Sequence, residues 1–288
     1  MLEGFQQKRY ETWRDEKLAN YQTKTESLFV EISNPLRLSS AEKSAIVDNC
    51  QSNNLSLIRI KPCSEIRKAI HSINTQLGLI DVDRHPCSED DGLVVIEDAH
   101  SPKKGGYIPY SNKALNWHTD GYYNQINELV GAFSLYCIQS AVNGGENHWI
   151  DPEMLYIHLR EQNPDIVSAL TQPNVLTIPA RNDGTKVIRT ASIGPVFFID
   201  SGTQKPKMRF TQRKRNIQWL ESNEVKDALN ILKTFLASNS SIHHQYKLKK
   251  GEGMICNNVL HSRSSFIDND SRKRMLLRGR YTNTVGHC

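Results

Sequence analysis

The feature that most restricts the fold of this chain is a series of short β-type runs in its middle and final parts. These runs are rich in branched and aromatic residues, and Gly, Asn, Ser and Pro separate them. The runs are GLVVIED (92–98), GGYIPY (105–110), LNWHTD (115–120), VGAFSLYCIQSA (130–141), NVLTIPA (174–180), KVIRTA (186–191), GPVFFID (194–200), KMRFTQR (207–213), GMICNN (253–258) and RMLLRGRYT (274–282). Many short strands predict a mainly β fold, a jelly-roll or cupin-like double sheet with flanking helices.

Helical patterns are confined to the start of the chain and to two later insertions. Ser39 or Ser40 at the N-cap, with Glu42 in the first turn, marks the beginning of one early helix. Two short strands, at 28–32 and 55–60, alternate with the early helices. The predicted helices lie within 1–28, at 38–50, 64–79 and 151–170, and at 225–238.

Length and composition agree with one large globular domain. The chain has 288 residues, of which 38% are hydrophobic and 23% are charged, and these values exclude wholesale disorder. No linker is long enough to mark a domain boundary. We therefore predict a single domain over 1–288, in which a helix–strand region, 1–90, packs on a β core, 91–288, with helical insertions.

Charge and cysteine usage limit the partners and the compartment. The net charge of +5 is compatible with nucleic acid, an anionic membrane surface or an acidic small molecule. None of the six cysteines forms a C-x-x-C pair, so zinc-ribbon and thioredoxin-like sites have no support. The N-terminal sequence lacks the apolar segment of a signal peptide, and no run reaches the ~18–20 apolar residues of a membrane span. We predict a reduced, cytoplasmic protein.

The segment Trp117-His118-Thr119-Asp120 suggests a metal site. In a strand, His118 and Asp120 would point to the same face, because side chains alternate. His261, after a late strand, could add a second imidazole. Two imidazoles and one carboxylate form the set that binds Fe(II) on one face and leaves positions open for other ligands. A lone H-x-D is nevertheless common by chance, and a late isolated histidine is more often a packing residue.

Three arginines follow His261 on alternate positions of one strand. Arg274, Arg278 and Arg280 share a face with Leu276, while Met275, Leu277 and Tyr281 lie on the other. Buried arginine needs an anionic partner, so an inward-facing row predicts carboxylate or phosphate ligands. The alternative is a solvated face, which the neighbouring Arg272 and Lys273 favour, but it does not explain the position of Leu276.

Four motifs follow one another along the chain: W-H-T-D-G, then G-G-E-N, then V-L-H-S-R-S-S-F, then R-M-L-L-R-G-R-Y. Their order and spacing resemble the taurine dioxygenase and clavaminate synthase-like family of Fe(II)/2-oxoglutarate-dependent oxygenases. The similarity spans roughly residues 92–285. The resemblance implies a double-stranded β-helix. It also implies a reaction that consumes 2-oxoglutarate and O₂ and releases succinate and CO₂.

The resemblance also assigns roles to individual residues. It implies that His118, Asp120 and His261 bind iron, and that Arg274 binds the C5 carboxylate of 2-oxoglutarate. Asn147, in G-G-E-N, stands where the family usually has a Thr that hydrogen-bonds 2-oxoglutarate. The side-chain amide of Asn can donate and accept, so it could make this hydrogen bond in place of the Thr hydroxyl. Arg278 matches a position that often reaches the substrate or supports the site.

The aromatic and basic residues around these motifs have competing interpretations. Tyr122 and Asn116 flank the H-x-D motif and are predicted to contact substrate; core packing for the tyrosine and a strand-end position for the asparagine are equally good explanations. The basic run 205–215 could face an anionic substrate, with a solvated strand edge as the favoured alternative.

The sequence thus predicts an Fe(II)/2-oxoglutarate-dependent dioxygenase that hydroxylates an unactivated C–H bond. The arginine row favours a small or headgroup-sized anionic or polar substrate, such as an amino acid, sulfonate, betaine or sugar acid. A lipid-linked anionic sugar, with peripheral contact to an anionic membrane, is one variant. Two rival functions are a non-catalytic cupin-like binding module and a basic nucleic-acid-associated protein.

Overall fold

The computed structural model describes residues 7–61, 63–83, 89–98 and 108–286. Within these ranges the chain forms six α-helices and three short 3₁₀ turns. The helices are α1 Gln7–Asn20, α2 Ser40–Asn53, α3 Ile66–Gln76, α4 Pro152–Gln162, α5 Pro164–Leu170 and α6 Asn223–Ala237; the turns are Thr25–Leu28, Ile108–Tyr110 and Ile126–Glu128.

The described residues also contain nineteen strands, most of them two to five residues long. The fold is therefore mainly β with several helices, as predicted. In chain order the strands are β1 Phe29–Ile32, β2 Leu55–Ile60, β3 Val94–Glu97, β4 Leu115–His118, β5 Ala132–Gln139, β6 Asn143–Gly144, β7 Asn147–Ile150, β8 Leu176–Ile178, β9 Arg181–Asp183, β10 Lys186–Arg189, β11 Ser192–Gly194, β12 Phe197–Ile199, β13 Pro206–Met208, β14 Gln218–Trp219, β15 His244–Tyr246, β16 Glu252–Cys256, β17 Leu260–Arg263, β18 Phe266–Ile267 and β19 Met275–Tyr281.

The structure divides into two compact units. The first unit comprises the described residues of Met1–Tyr21, Asn116–Leu129 and Ile150–His243. The second unit comprises those of Gln22–Leu115, Val130–Trp149 and His244–Cys288. The prediction of a single domain over 1–288 stays a prediction.

A six-stranded sheet in the order β1-β2-β16-β5-β19-β3 is the centre of the second unit. Strands β1 and β2 are parallel, because α2 connects them, and the remaining pairs are antiparallel. One face of the sheet packs with residues of α2 and α3 in a buried apolar cluster that includes Leu277 and Tyr281. The other face carries a second cluster that includes Leu276 and Phe133.

Strand β19 confirms the predicted alternation of its side chains. Leu276 lies in one apolar cluster, and Leu277 and Tyr281 lie in the other, on opposite faces of the sheet. Arg278 and Arg280 are both buried, so the arginine row is not a solvated face. Buried Asn74 of α3 donates hydrogen bonds to Ser134 Oγ and to Tyr281 Oη at 2.9 and 2.8 Å, which fixes the helix on this strand.

The first unit combines small sheets with four of the helices. Strands β11, β8 and β14 form one sheet, and β9–β10 and β12–β13 form hairpins. Buried Lys17 of α1 lies 2.6 Å from Asp151 Oδ2 and 3.2 Å from Glu153 Oε2 at the start of α4. The three charges hold α1 against α4, because each would be costly to bury without the others.

Three sequence predictions need correction. The helix predicted over 151–170 is two helices, because Asn163 ends α4 and caps α5, with Pro164 as its first residue. The strand predicted over 207–213 ends at Met208, and Thr211 makes only an isolated bridge to His118. The strand predicted over 105–110 is a 3₁₀ turn at Ile108–Tyr110, and its first three residues lie outside the described ranges.

Helix α2 begins with a capping box, as the sequence predicts. Ser39 Oγ accepts a hydrogen bond from the Glu42 N–H, and the Glu42 carboxylate accepts one from the Ser39 N–H. The N–H groups of Ser33 and Ser39, which both donate to the Glu42 carboxylate, lower the pKa of Glu42.

We expect Ser39→Ala to reduce the free energy of unfolding by about 1 kcal/mol, as loss of a serine cap usually does. Urea denaturation at neutral pH measures this change. Because the pKa of Glu42 is lower in the folded state, its carboxylate stabilises the fold at pH values above the usual carboxyl pKa. This stabilisation is lost as the pH falls through the pKa of the folded state. An equal loss from Ser44→Ala, at an exposed position of the same helix, would contradict the assignment to the cap.

No helix among the residues that the structure describes is long and apolar enough to cross a membrane.

Candidate metal centre and its surroundings

Three side chains predicted from the sequence as metal ligands come together in the structure. The ligand atoms of His118, Asp120 and His261 all lie within 4.8 Å of one another. His118 and Asp120 are buried, and His261 is half-buried. Within the described ranges, this is the group of His, Cys, Asp and Glu side chains that is close enough to hold a metal ion.

The local backbone around His118 differs from the regular strand that the sequence predicts. Strand β4 ends at His118, and Asp120 lies in the following turn. Thr119 is fixed by two hydrogen bonds to Phe210: its N–H donates to the carbonyl at 3.0 Å, and its Oγ1 accepts from the N–H at 3.1 Å. The Asp120 carboxylate nevertheless lies 3.8 Å from His118 Nε2. A turn therefore brings the two groups together.

Both histidines have the same hydrogen-bonding arrangement. Nδ1 of His118 lies 2.8 Å from the Asn116 carbonyl oxygen, and Nδ1 of His261 lies 2.8 Å from the Val259 carbonyl oxygen. A carbonyl can only accept, so each Nδ1 carries a proton, which leaves Nε2 as the ring nitrogen that can bind a metal. Such bonds orient the ligating imidazoles of metal sites. The donor set of two neutral imidazoles and one carboxylate fits Fe(II).

Arg274 supplies a buried positive charge in the second unit. Its side chain is 4% exposed, and its Nη1 is buried without a hydrogen-bond partner among the described residues. Its guanidinium carbon lies 5.1 Å from the Phe266 ring centroid. Burial lowers the pKa of Arg274 to about 10. A guanidinium in this state is suited to bind an anionic ligand through two parallel hydrogen bonds.

The G-G-E-N motif lies beside Arg274. Gly144 and Gly145 both have positive φ, and a Cβ at Gly145 would lie 3.3 Å from Arg274 Nε. Ser264 Oγ accepts hydrogen bonds of 3.0 Å from the N–H groups of Gly145 and Glu146, so it ties this turn to the chain after His261. A Cβ at Gly145 would therefore crowd the arginine, whereas a Cβ at Gly144 would collide with the Ser265 carbonyl oxygen.

Asn147 follows this turn and is buried. It begins β7, where its backbone pairs with Tyr246. The role of its side chain stays a prediction. Asn116 is exposed, and its carbonyl oxygen is the group that holds the His118 ring.

The other arginines near the late motifs have distinct surroundings. Arg263 donates hydrogen bonds to the carbonyls of Pro109, Ser111 and Lys113, so it supports the loop structure, and burial lowers its pKa to about 9. Arg280 pairs with Asp83. Arg278 is buried on the same strand, opposite Leu135 and Val94 of the neighbouring strands.

Tyr122 is buried and contacts a metal-ligand candidate. Its ring meets the His118 ring edge to face, with centroids 6.4 Å apart. Its hydroxyl accepts a hydrogen bond of 2.9 Å from Arg213 Nη1. Local sequence patterns could not predict this pairing of Arg213, because its partner lies 91 residues earlier in the chain.

Comparisons with known proteins agree with these features. A family model described as "Taurine catabolism dioxygenase TauD, TfdA family" matches residues 15–280. A uridine-5'-phosphate dioxygenase from Streptomyces sp is 26% identical over 190 residues, which are 63% of this chain and 67% of that protein.

Solved structures show the same fold. An asparagine oxygenase in complex with Fe(II), 2S,3S-3-hydroxyasparagine and succinate has a TM-score of 0.63 at 13% identity, covering 85% of this chain and 80% of that one. A taurine dioxygenase from Burkholderia xenovorans has a TM-score of 0.59 at 15% identity, covering 88% and 86%.

Proposed function

Because the chain belongs to the taurine catabolism dioxygenase TauD, TfdA family, and is therefore an Fe(II)/2-oxoglutarate-dependent oxygenase, we propose that it hydroxylates an unactivated C–H bond of a small anionic or polar substrate. The convergence of His118, Asp120 and His261 is the observation that carries this proposal. Family membership identifies an enzyme and so decides against a non-catalytic binding module.

His118, Asp120 and His261 are the proposed iron ligands. The Nδ1 hydrogen bonds of the two histidines support this role, because they direct both Nε2 lone pairs away from the backbone carbonyls. Asp120 supplies the anionic ligand. Iron and 2-oxoglutarate, when bound, supply the oxidising chemistry, with release of succinate and CO₂.

Arg274 is the proposed site for the C5 carboxylate of 2-oxoglutarate. Its burial and its Nη1, which has no hydrogen-bond partner among the described residues, support the assignment, since a carboxylate would accept hydrogen bonds from the buried guanidinium. Asn147 is proposed to hydrogen-bond the same molecule. Its amide donates and accepts, so it can take the place of a threonine hydroxyl.

Arg278, Tyr122 and Asn116 are proposed to contact the substrate. A buried guanidinium at Arg278 supports an anionic group, and amino acids, sulfonates, betaines and sugar acids are candidates. The uridine-5'-phosphate dioxygenase adds phosphorylated nucleosides to these classes, and the asparagine oxygenase supports amino acids.

The finer points of architecture and setting are also proposals. We infer that the strands form a double-stranded β-helix within one oxygenase domain, which the likeness to family structures supports. The cytoplasmic location, predicted from the cysteine pattern, and the peripheral contact of a lipid-linked substrate with an anionic membrane stay predictions.

Two measurements test the proposed function. Addition of Fe(II) and 2-oxoglutarate without oxygen should produce a visible charge-transfer band from the chelate. A screen of amino acids, sulfonates, sugar acids and phosphorylated nucleosides should then identify a substrate that stimulates succinate release. Absence of the band in a folded, iron-loaded protein would refute the proposal.

A further inference from the structure

A cluster of positive charge lies beside Tyr122 in the first unit. We call Arg189 and Arg213, with Tyr122 and Tyr123, the Arg189/Arg213 cluster. The two tyrosine rings meet edge to face with centroids 5.2 Å apart. Arg189 places its guanidinium carbon 5.8 Å from the Tyr123 ring centroid, and Arg213 donates to the Tyr122 hydroxyl.

Within the described ranges, acidic side chains do not pair with the two arginines of this cluster. Neither Arg189 nor Arg213 has a carboxylate at ion-pair distance among the residues that the structure describes. Arg189 instead donates to the carbonyls of Tyr123, Thr190 and Pro179, at 3.1, 3.1 and 2.8 Å. Its pKa is lowered by burial and by the charges of Arg213 and Arg181. Positive groups held close together in this way favour an anion.

The hydrogen bonding of Tyr122 shows where the anion would lie. A guanidinium only donates, so the Tyr122 oxygen is the acceptor in its bond with Arg213. The hydroxyl proton of Tyr122 can therefore be donated to a second group. An anion beside Arg213 would receive hydrogen bonds from both residues. The same tyrosine ring contacts His118, so this anion would be one tyrosine side chain away from a proposed iron ligand.

We propose that the substrate carries a phosphate monoester and that Arg213 and the Tyr122 hydroxyl bind it. This inference rests on the proposed function and narrows its substrate class. A phosphate dianion matches the cluster better than a carboxylate, because it carries more charge and a third acceptor oxygen. Arg189 is a positioning residue: it fixes Tyr123 and adds to the positive potential.

The experiment uses the full chain, loaded with Fe(II) and 2-oxoglutarate without oxygen. Isothermal titration calorimetry measures the dissociation constants of methyl phosphate and, at equal ionic strength, of acetate. We expect methyl phosphate to bind at least about 10-fold more tightly than acetate. Arg213→Gln should weaken methyl phosphate binding by about 10- to 100-fold, the cost of losing a hydrogen bond to a charged group. Tyr122→Phe should weaken it by about 3- to 10-fold.

Arg215→Gln is the matched control, because Arg213 and Arg215 are both exposed and carry the same charge, but the hydrogen bond to the Tyr122 hydroxyl comes from Arg213. Its methyl phosphate affinity should stay within about twofold of the wild type, since an exposed charge without that hydrogen bond to Tyr122 contributes little. Equal losses in Arg213→Gln and Arg215→Gln would overturn the proposal and indicate general charge attraction. Equal affinities for methyl phosphate and acetate would also overturn it.

The chelate band separates this inference from the proposed function. The band should be unchanged in Arg213→Gln and Tyr122→Phe, because neither residue is a proposed ligand. A band without selective phosphate binding refutes the phosphate site alone. A missing band in the wild type refutes the proposed function itself.

Discussion

Replacing His261 with alanine should abolish both the Fe(II)/2-oxoglutarate charge-transfer band and succinate release. The substitution removes one of two imidazoles from the group whose ligand atoms lie within 4.8 Å. Removing a residue that only hydrogen-bonds to a metal ligand typically lowers metal affinity by about 10- to 100-fold. Removing the ligand itself should therefore lower Fe(II) affinity by more. Anaerobic Fe(II) titration measures this change.

His71→Ala provides the control for His261→Ala. His71 is an exposed histidine of α3, so its loss should leave the charge-transfer band and the Fe(II) affinity unchanged. Circular dichroism should show the same folded state for both variants, since His261 is only half-buried. Wild-type Fe(II) affinity in folded His261→Ala would exclude His261 as a ligand.

The second large effect is expected at Arg274. Arg274→Met should raise the KM for 2-oxoglutarate by about 30-fold or more, because removal of one partner of a buried charge pair costs about 2–5 kcal/mol. Fold stability without 2-oxoglutarate should be unchanged or higher, since the Nη1 of the buried guanidinium has no hydrogen-bond partner in the described part of the chain and methionine fills a similar volume. Steady-state kinetics and thermal unfolding measure these opposite effects.

Lys273→Met is the matched control for Arg274→Met. It removes a neighbouring positive charge from an exposed side chain, so the KM for 2-oxoglutarate should change little. A purely structural arginine would give the reverse pattern, with lower melting temperature and an unaltered KM. That outcome would assign the 2-oxoglutarate carboxylate to another residue.

Local sequence patterns predicted most of the β elements and the grouping of the candidate ligands. Alternation along β19 identified the face that carries its arginines, because both faces of that strand are buried and they differ clearly in residue type. The geometry of His118 and Asp120 was only partly predictable. The two side chains do converge, but strand β4 ends at His118, where Thr119 bonds to Phe210 far along the chain. Alternation cannot reveal such a partner.

The basic run 205–215 shows the same limitation. A solvated edge is the natural interpretation of this composition, yet Arg209 is fully buried and donates to the carbonyls of Leu176 and Ser192. Arg213 bonds instead to a tyrosine beside the metal-ligand candidates. Residue type gave the charge of both side chains. Only their long-range hydrogen bonds distinguish Arg209, which supports the backbone, from Arg213, which we propose to bind an anion.

The strand β19 also determines where this chain can tolerate changes of length. Both of its edges are hydrogen-bonded, to β5 and to β3. An inserted residue within it would exchange the faces of all positions that follow, placing guanidinium groups in an apolar cluster. The exposed turn just before it, 269–273, carries no such restriction. Insertions and deletions in natural relatives should therefore accumulate in that turn, and the spacing from Arg274 to Arg278 should stay constant.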